Sequence, residues 1–68
     1  MEKTYNIHIE FADGSNPWVS LPIYSEKDLK VLLGRWKRNY EVISERSEEW
    51  GDGSYSTTFL KLAEKVRA

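Results

Sequence analysis

The sequence predicts a small α+β domain of order ββαα, an N-terminal β-hairpin packed on a long amphipathic helix and a short C-terminal one. Three observations predict it. Residues 4–11, TYNIHIEF, and 17–24, PWVSLPIY, alternate with the two-residue period of a strand. From Ser25 onward, Leu29, Leu32, Leu33, Trp36, Tyr40, Ile43 and Trp50 fall along one line of a helical wheel. Near the C-terminus, Phe59, Leu62, Ala63 and Val66 recur at i, i+3, i+4 and i+7.

In the hairpin, Tyr5, Ile7, Ile9 and Phe11 point to one side, and Thr4, Asn6, His8 and Glu10 to the other. Ala12-Asp13-Gly14-Ser15-Asn16 supplies turn chemistry, with Gly14 free to take a positive φ. The second run places Val19, Leu21 and Ile23 on the core side and Trp18, Ser20, Pro22 and Tyr24 outside. Pro22 has no N–H to donate, so this strand must be an edge. The free edge of the first strand can then accept another, from the C-terminal segment or from a second copy.

Ser25 is a good N-cap, with Asp28 completing a capping-box-like S-x-x-D and Glu26 facing the positive end of the helix dipole. Glu26–Lys30 and Lys37–Glu41 are i,i+4 pairs of opposite sign. The end of this helix is contested. Glu45, Glu48 and Glu49 oppose the dipole at its C-terminus, and YEVIS at 40–44 is rich in strand formers. The competing order is ββαβ(α), with a helix over 26–39 and a third strand near 40–47. Trp50-Gly51-Asp52-Gly53-Ser54 breaks either element. A last helix over about 57–67 follows, capped by Ser56 or Thr57, with Lys65 and Arg67 suiting its C-terminus. The expected core is Tyr5, Ile7, Ile9, Phe11, Val19, Leu21, Ile23, Leu29, Leu32, Leu33, Trp36, Tyr40, Ile43, Phe59, Leu62 and Val66.

At 68 residues the chain has room for a single domain, 1–68. A fold of this size is marginal alone, and the absence of cysteine removes disulfides and thiolate metal sites as supports. Aromatic bulk, 13% of the residues, and self-association as a homodimer are the supports that remain. A net charge of -1 gives no general attraction to nucleic acid or to an acidic membrane. The N-terminus alternates instead of forming the apolar run of a leader, and a cytoplasmic protein is expected. A chain opening on Met1 reads as a complete short reading frame, cellular or carried by a phage or other mobile element.

Little in the sequence carries chemistry. His8 is the only histidine and lies opposite the apolar face; Glu10 shares that face, but a general base needs further positioned partners. Asp13-Gly14-Ser15-Asn16 and Asp52-Gly53-Ser54 lack the spacing and distal Glu of a calcium loop. Gly51-Asp52-Gly53 lacks the Lys-Ser/Thr of a phosphate loop. No enzyme, metal or cofactor is expected, and no motif identifies a family. Trp18 and Tyr24, facing outward beside His8, are the candidate partner-binding residues, since wet aromatics mark binding surfaces. The expected function is binding of another protein, or of a second copy, through the outer face or edge of the hairpin. The alternative is weak nucleic-acid binding by Lys30, Arg35, Lys37 and Arg38, with Lys27 nearby, on the helix. Against it, Glu41, Glu45, Glu48 and Glu49 reverse the sign of the same surface.

Overall fold

β1 (Thr4–Phe11) has a partner on each side, and the rest of the chain is arranged around it. The computed structural model describes residues 3–65. After β1 come β2 (Trp18–Val19), α1 (Glu26–Asn39), β3 (Tyr40–Trp50) and β4 (Tyr55–Glu64). The four strands form one mixed sheet in the order β2-β1-β4-β3. β1 runs antiparallel to β2 and parallel to β4, and β3 and β4 form an antiparallel hairpin. The class is α+β, with one helix among the described residues, and ββαα gives way to ββαββ.

The expected C-terminal helix is a strand. Residues 55–59, YSTTF, are aromatic, β-branched or small, and Ser56, Thr58, Leu60 and Leu62 alternate onto one buried face. The helical spacing of Phe59, Leu62 and Ala63 coexists with this alternation. Pairing decides between them. β4 matches β1 residue for residue, from Thr4 opposite Tyr55 to Phe11 opposite Leu62, and so fills the free edge of the first strand from the chain's own C-terminal segment. Val66 and Arg67, which the helix was to include, lie outside the described residues.

The helical stripe likewise ends early. α1 starts as expected, with the Ser25 hydroxyl accepting from the Asp28 N–H at 3.0 Å. It ends without a loop. The Tyr40 N–H still donates to the Trp36 carbonyl while Tyr40 itself is already extended, and β3 begins there. The third strand near 40–47 therefore forms and runs on to Trp50. Ile43 and Trp50 leave the core: both are more than half exposed, and Ile43 sits where β3 bulges against β4, between Val42 and Ser44.

The core between α1 and the sheet holds Ile7, Ile9, Ile23, Leu29, Leu60 and Leu62. Tyr5, Phe11, Trp18, Leu32, Leu33, Trp36 and Tyr40 pack around it, half-buried. Phe59, expected inside, takes the opposite face of the sheet beside His8. In the hairpin two more residues expected inside are out: Val19 is 60% exposed and Leu21 is 84% exposed. The cause is one extra residue. Trp18 and Val19 face Ile9 and His8, and Ser20 bonds to Ile7, so each pair sums to one register. Ile23 then faces Tyr5, one residue out of step. Leu21 and Pro22 absorb the slip at the exposed edge. A one-residue slip exchanges the two faces, so Trp18 points inward with Ser20, and Val19 points outward.

Candidate functional site

Among the described residues there is one helix, α1, and it covers one face of the sheet. The opposite, open face takes the alternate residues of each strand: Thr4, Asn6, His8 and Glu10 from β1, Tyr55, Thr57, Phe59 and Lys61 from β4, and Ser44, Arg46, Glu48 and Trp50 from β3. Register sets these in rows across the strands. The central row is Val19–His8–Phe59–Arg46. The His8 and Phe59 rings lie 5.4 Å apart, tilted by 38°. The Arg46 guanidinium sits over the Phe59 ring at 4.1 Å, a cation–π contact, and also pairs with Glu48. A second aromatic pair, Trp50 and Tyr55 at 6.1 Å, marks the hairpin end of this face. Beside the central row, a shallow groove of about 530 Å³ opens under the β1–β2 loop, lined by His8, Glu10, Arg46, Phe59 and Lys61.

The three expected partner-binding residues do not converge. His8 is on the open face as expected. Trp18 does not face outward; it packs on Trp36 at 5.0 Å within the aromatic cluster of Phe11, Trp36 and Tyr40. Tyr24 is exposed, but it follows the inward Ile23 at the entrance to α1, away from the central row. Phe59, Arg46, Tyr55 and Trp50 were not anticipated as a face. Reading 55–64 as a strand would have found Tyr55 and Phe59, because its odd-numbered residues carry both aromatics and Lys61, and the third strand near 40–47 would have set Arg46 beside them.

The basic residues of α1 are divided. Lys30 pairs with Glu26 at 3.7 Å and Lys37 with Glu45 at 2.9 Å, across to β3. Arg35 lines a groove of about 410 Å³ with Trp18, Leu32, Trp36, Asn39 and Tyr40. Arg35 and Arg38 form no ion pair among the described residues.

Among the described residues, Lys3 and Asp13 have displaced proton affinities. The hydrogen bond from Lys3 to Glu49 holds the Lys3 ammonium above its usual range. The Asp13 carboxylate is held below its usual range by bonds from Ser15, including one from its N–H at 2.8 Å. Among the described residues, no three His, Asp or Glu side chains gather around a point where one ion could sit. No described helix is long and apolar enough to cross a membrane. No family model, curated protein or solved structure matches this chain.

Proposed function

We propose that the chain is a non-enzymatic interaction protein, cytoplasmic, which binds another protein through the open face of its sheet. The observation supporting this is the row His8–Phe59–Arg46, flanked by Val19 and by the exposed pair Trp50–Tyr55. Aromatic and arginine side chains are enriched where proteins bind one another, because each buries a large area for little lost rotamer freedom. Here they line an open groove and continue into the exposed pair Trp50–Tyr55, so a protein partner can bury ring faces and groove together. A second copy of this chain is the simplest partner to examine, since self-association would also support a fold this small.

The test uses Phe59→Ser and Tyr55→Ser, each first shown to keep the wild-type circular dichroism. The wild-type chain is expected either to sediment as a dimer or to retain a discrete partner from a lysate of its host. Both variants are expected to lose that association. A wild-type monomer without a partner, or variants that associate as well as wild type, would sink the proposal.

The second reading is weak nucleic-acid binding by Lys30, Arg35, Lys37 and Arg38. It rests on Arg35 and Arg38, whose charges no described carboxylate neutralises. Affinity for DNA or RNA would then fall steeply with salt, and no gel shift at about 50 mM salt disposes of it.

A further inference from the structure

The two edges of the sheet differ. At one, β2 is two residues long and lies between Pro17 and Pro22, so little backbone is presented for pairing. At the other, β3 is eleven residues long, and every residue from Glu41 to Trp50 is exposed. Among the described residues, the backbone of Glu41–Trp50 bonds only to β4. The groups on its far side therefore meet water. The bulge at Ile43 interrupts the start of β3, but the seven residues Ser44–Trp50 pair with β4 in unbroken register. That regular run reaches about 23 Å, enough for a typical strand to add along it.

The side chains of this run decide what can add. Glu45, Ser47 and Glu49 lie on the helix side, and Ser44, Arg46, Glu48 and Trp50 on the open side. A second copy adding antiparallel about a two-fold axis normal to the sheet must pair residues of the same face. An axis at Glu45, Glu48 or Glu49 sets a glutamate against its own copy. At Arg46 it does the same to the arginine, and at Ser47 it sets Glu45 against Glu49 twice while setting Arg46 against Glu48 twice. Like charges directly opposite destabilise a strand pair. Ser44–Trp50 carries three glutamates and one arginine, so a strand of opposite charge suits this edge better than its own copy does.

We propose that the outer edge of β3 accepts an extended, lysine- or arginine-bearing segment of another protein as a fifth strand. Backbone pairing along Ser44–Trp50 supplies the binding, and the glutamates supply the selection. Glu45 and Glu49 each already meet one lysine, Lys37 and Lys3, in solvent-exposed pairs. A carboxylate has acceptor sites for a second cation, so these contacts do not use up the site. Trp50, 62% exposed at the end of the run, offers an apolar contact to the segment's end.

The experiment titrates the whole chain with three synthetic peptides of about nine residues, a typical strand length. One alternates lysine with valine and threonine, one has glutamate in place of each lysine, and one is the lysine peptide with a central proline. Amide shifts in heteronuclear NMR, with amide exchange, report the site. The lysine peptide is expected to shift and protect amides within Ser44–Trp50. The glutamate and proline peptides are expected to bind at least about tenfold more weakly, for lost charge complementarity and lost pairing respectively. The double variant E45K/E49K should reverse the preference between the lysine and glutamate peptides. If that variant does not fold, the three peptides against the wild-type chain decide alone. No response of β3 at millimolar lysine peptide, equal binding of the glutamate peptide, or shifts confined to His8 and Phe59 would each overturn the proposal. The edge pairs through the backbone of β3, and Phe59 lies one strand inward on β4, so Phe59→Ser should leave lysine-peptide binding unchanged, whatever it does to association through the face.

Discussion

The Ile7 N–H donates to the Ser20 hydroxyl at 2.8 Å, and the Ser20 N–H donates back to the Ile7 carbonyl at 2.9 Å. Both residues are buried. In a regular strand pair the Ile7 donor would be met by a backbone carbonyl. Here the chain departs from register after Ser20, and a side-chain oxygen takes that place. The bond therefore closes the hydrogen-bond account of a strand that Leu21 and Pro22 interrupt. Ser20→Ala is expected to leave the Ile7 donor unsatisfied in the core, costing about 1–3 kcal/mol. For a domain of this size each kcal/mol lowers Tm by about 4–8 °C. Thermal unfolding followed by circular dichroism would read the shift, and an unchanged Tm would show that water reaches Ile7.

Trp18 belongs to the fold and not to an outer surface. Its ring meets Trp36 at 5.0 Å, and Trp36 in turn meets Phe11 and Tyr40, joining β2, α1, β1 and the start of β3. Trp18→Ala is expected to cost about 2–3 kcal/mol, less than for a fully buried tryptophan because the ring is only half-buried. Chemical denaturation would measure it. Tyr24→Ala at a side chain 73% exposed should change stability by less than about 0.5 kcal/mol. Equal losses for the two would contradict the packing described.

The sequence showed most plainly what local physics dictates. The alternation of Tyr5, Ile7, Ile9 and Phe11, the Ser25 cap and the leucines of α1 all stand in the fold as read, because each is set within a few residues. The misreadings arose where distant pairing decides. Phe59, Leu62 and Ala63 satisfy a helical period, Leu60 and Leu62 satisfy a strand period, and only β1's need for a second neighbour selects the strand. The face of Trp18 was misjudged because an extra residue at Leu21–Pro22 shifts the phase of an otherwise clean alternation. A helix over 57–67 hides the row His8–Phe59–Arg46, since the row draws one residue from each of three strands. Edge charge was legible. Glu45, Glu48 and Glu49 argued against a helix end, and they line an exposed edge strand instead.

Acid should loosen the β1–β2 loop. Asp13 accepts from Ser15, and that bond favours the carboxylate, lowering its pKa from the ordinary value of 3.8. A group whose folded pKa is depressed contributes stability above its unfolded pKa, and loses it as pH falls through the folded one. The contribution is therefore complete above about pH 5, one unit over the unfolded value, declines as pH falls past 3.8, and is gone once pH has passed through the lower folded value. Asp13 is fully exposed, so the effect on global stability should be small. The clearest readout is the Asp13 carboxyl titration by NMR, expected below 3.8 in the wild type and closer to it in Ser15→Pro, which lacks the N–H donor. A wild-type midpoint at or above 3.8 would count against the loop geometry.

Three glycine-to-alanine substitutions should separate backbone strain from space. Gly51, φ +59°, opens the β3–β4 turn, in which Asp52 and Gly53 also have positive φ. A Cβ at Gly51 would stand 2.9 Å from both the Ser54 hydroxyl and the Tyr55 ring. Alanine there must hold a left-handed backbone, at about 1–2 kcal/mol, and also displace the Tyr55 ring from its contact with Trp50. At Gly53, φ +86°, the nearest atom is the end of the Glu49 side chain at 3.7 Å, so only the backbone cost applies. At Gly34, inside α1, nothing lies within 4 Å and φ is not positive. Gly34→Ala should stabilise by about 0.5–1 kcal/mol through helix propensity and a less flexible unfolded chain. The expected order of Tm is Gly34→Ala above wild type, then Gly53→Ala, then Gly51→Ala. Finding Gly51→Ala no worse than Gly53→Ala would show that Tyr55 moves aside freely. It would also remove the Trp50–Tyr55 pair as a fixed part of the open face.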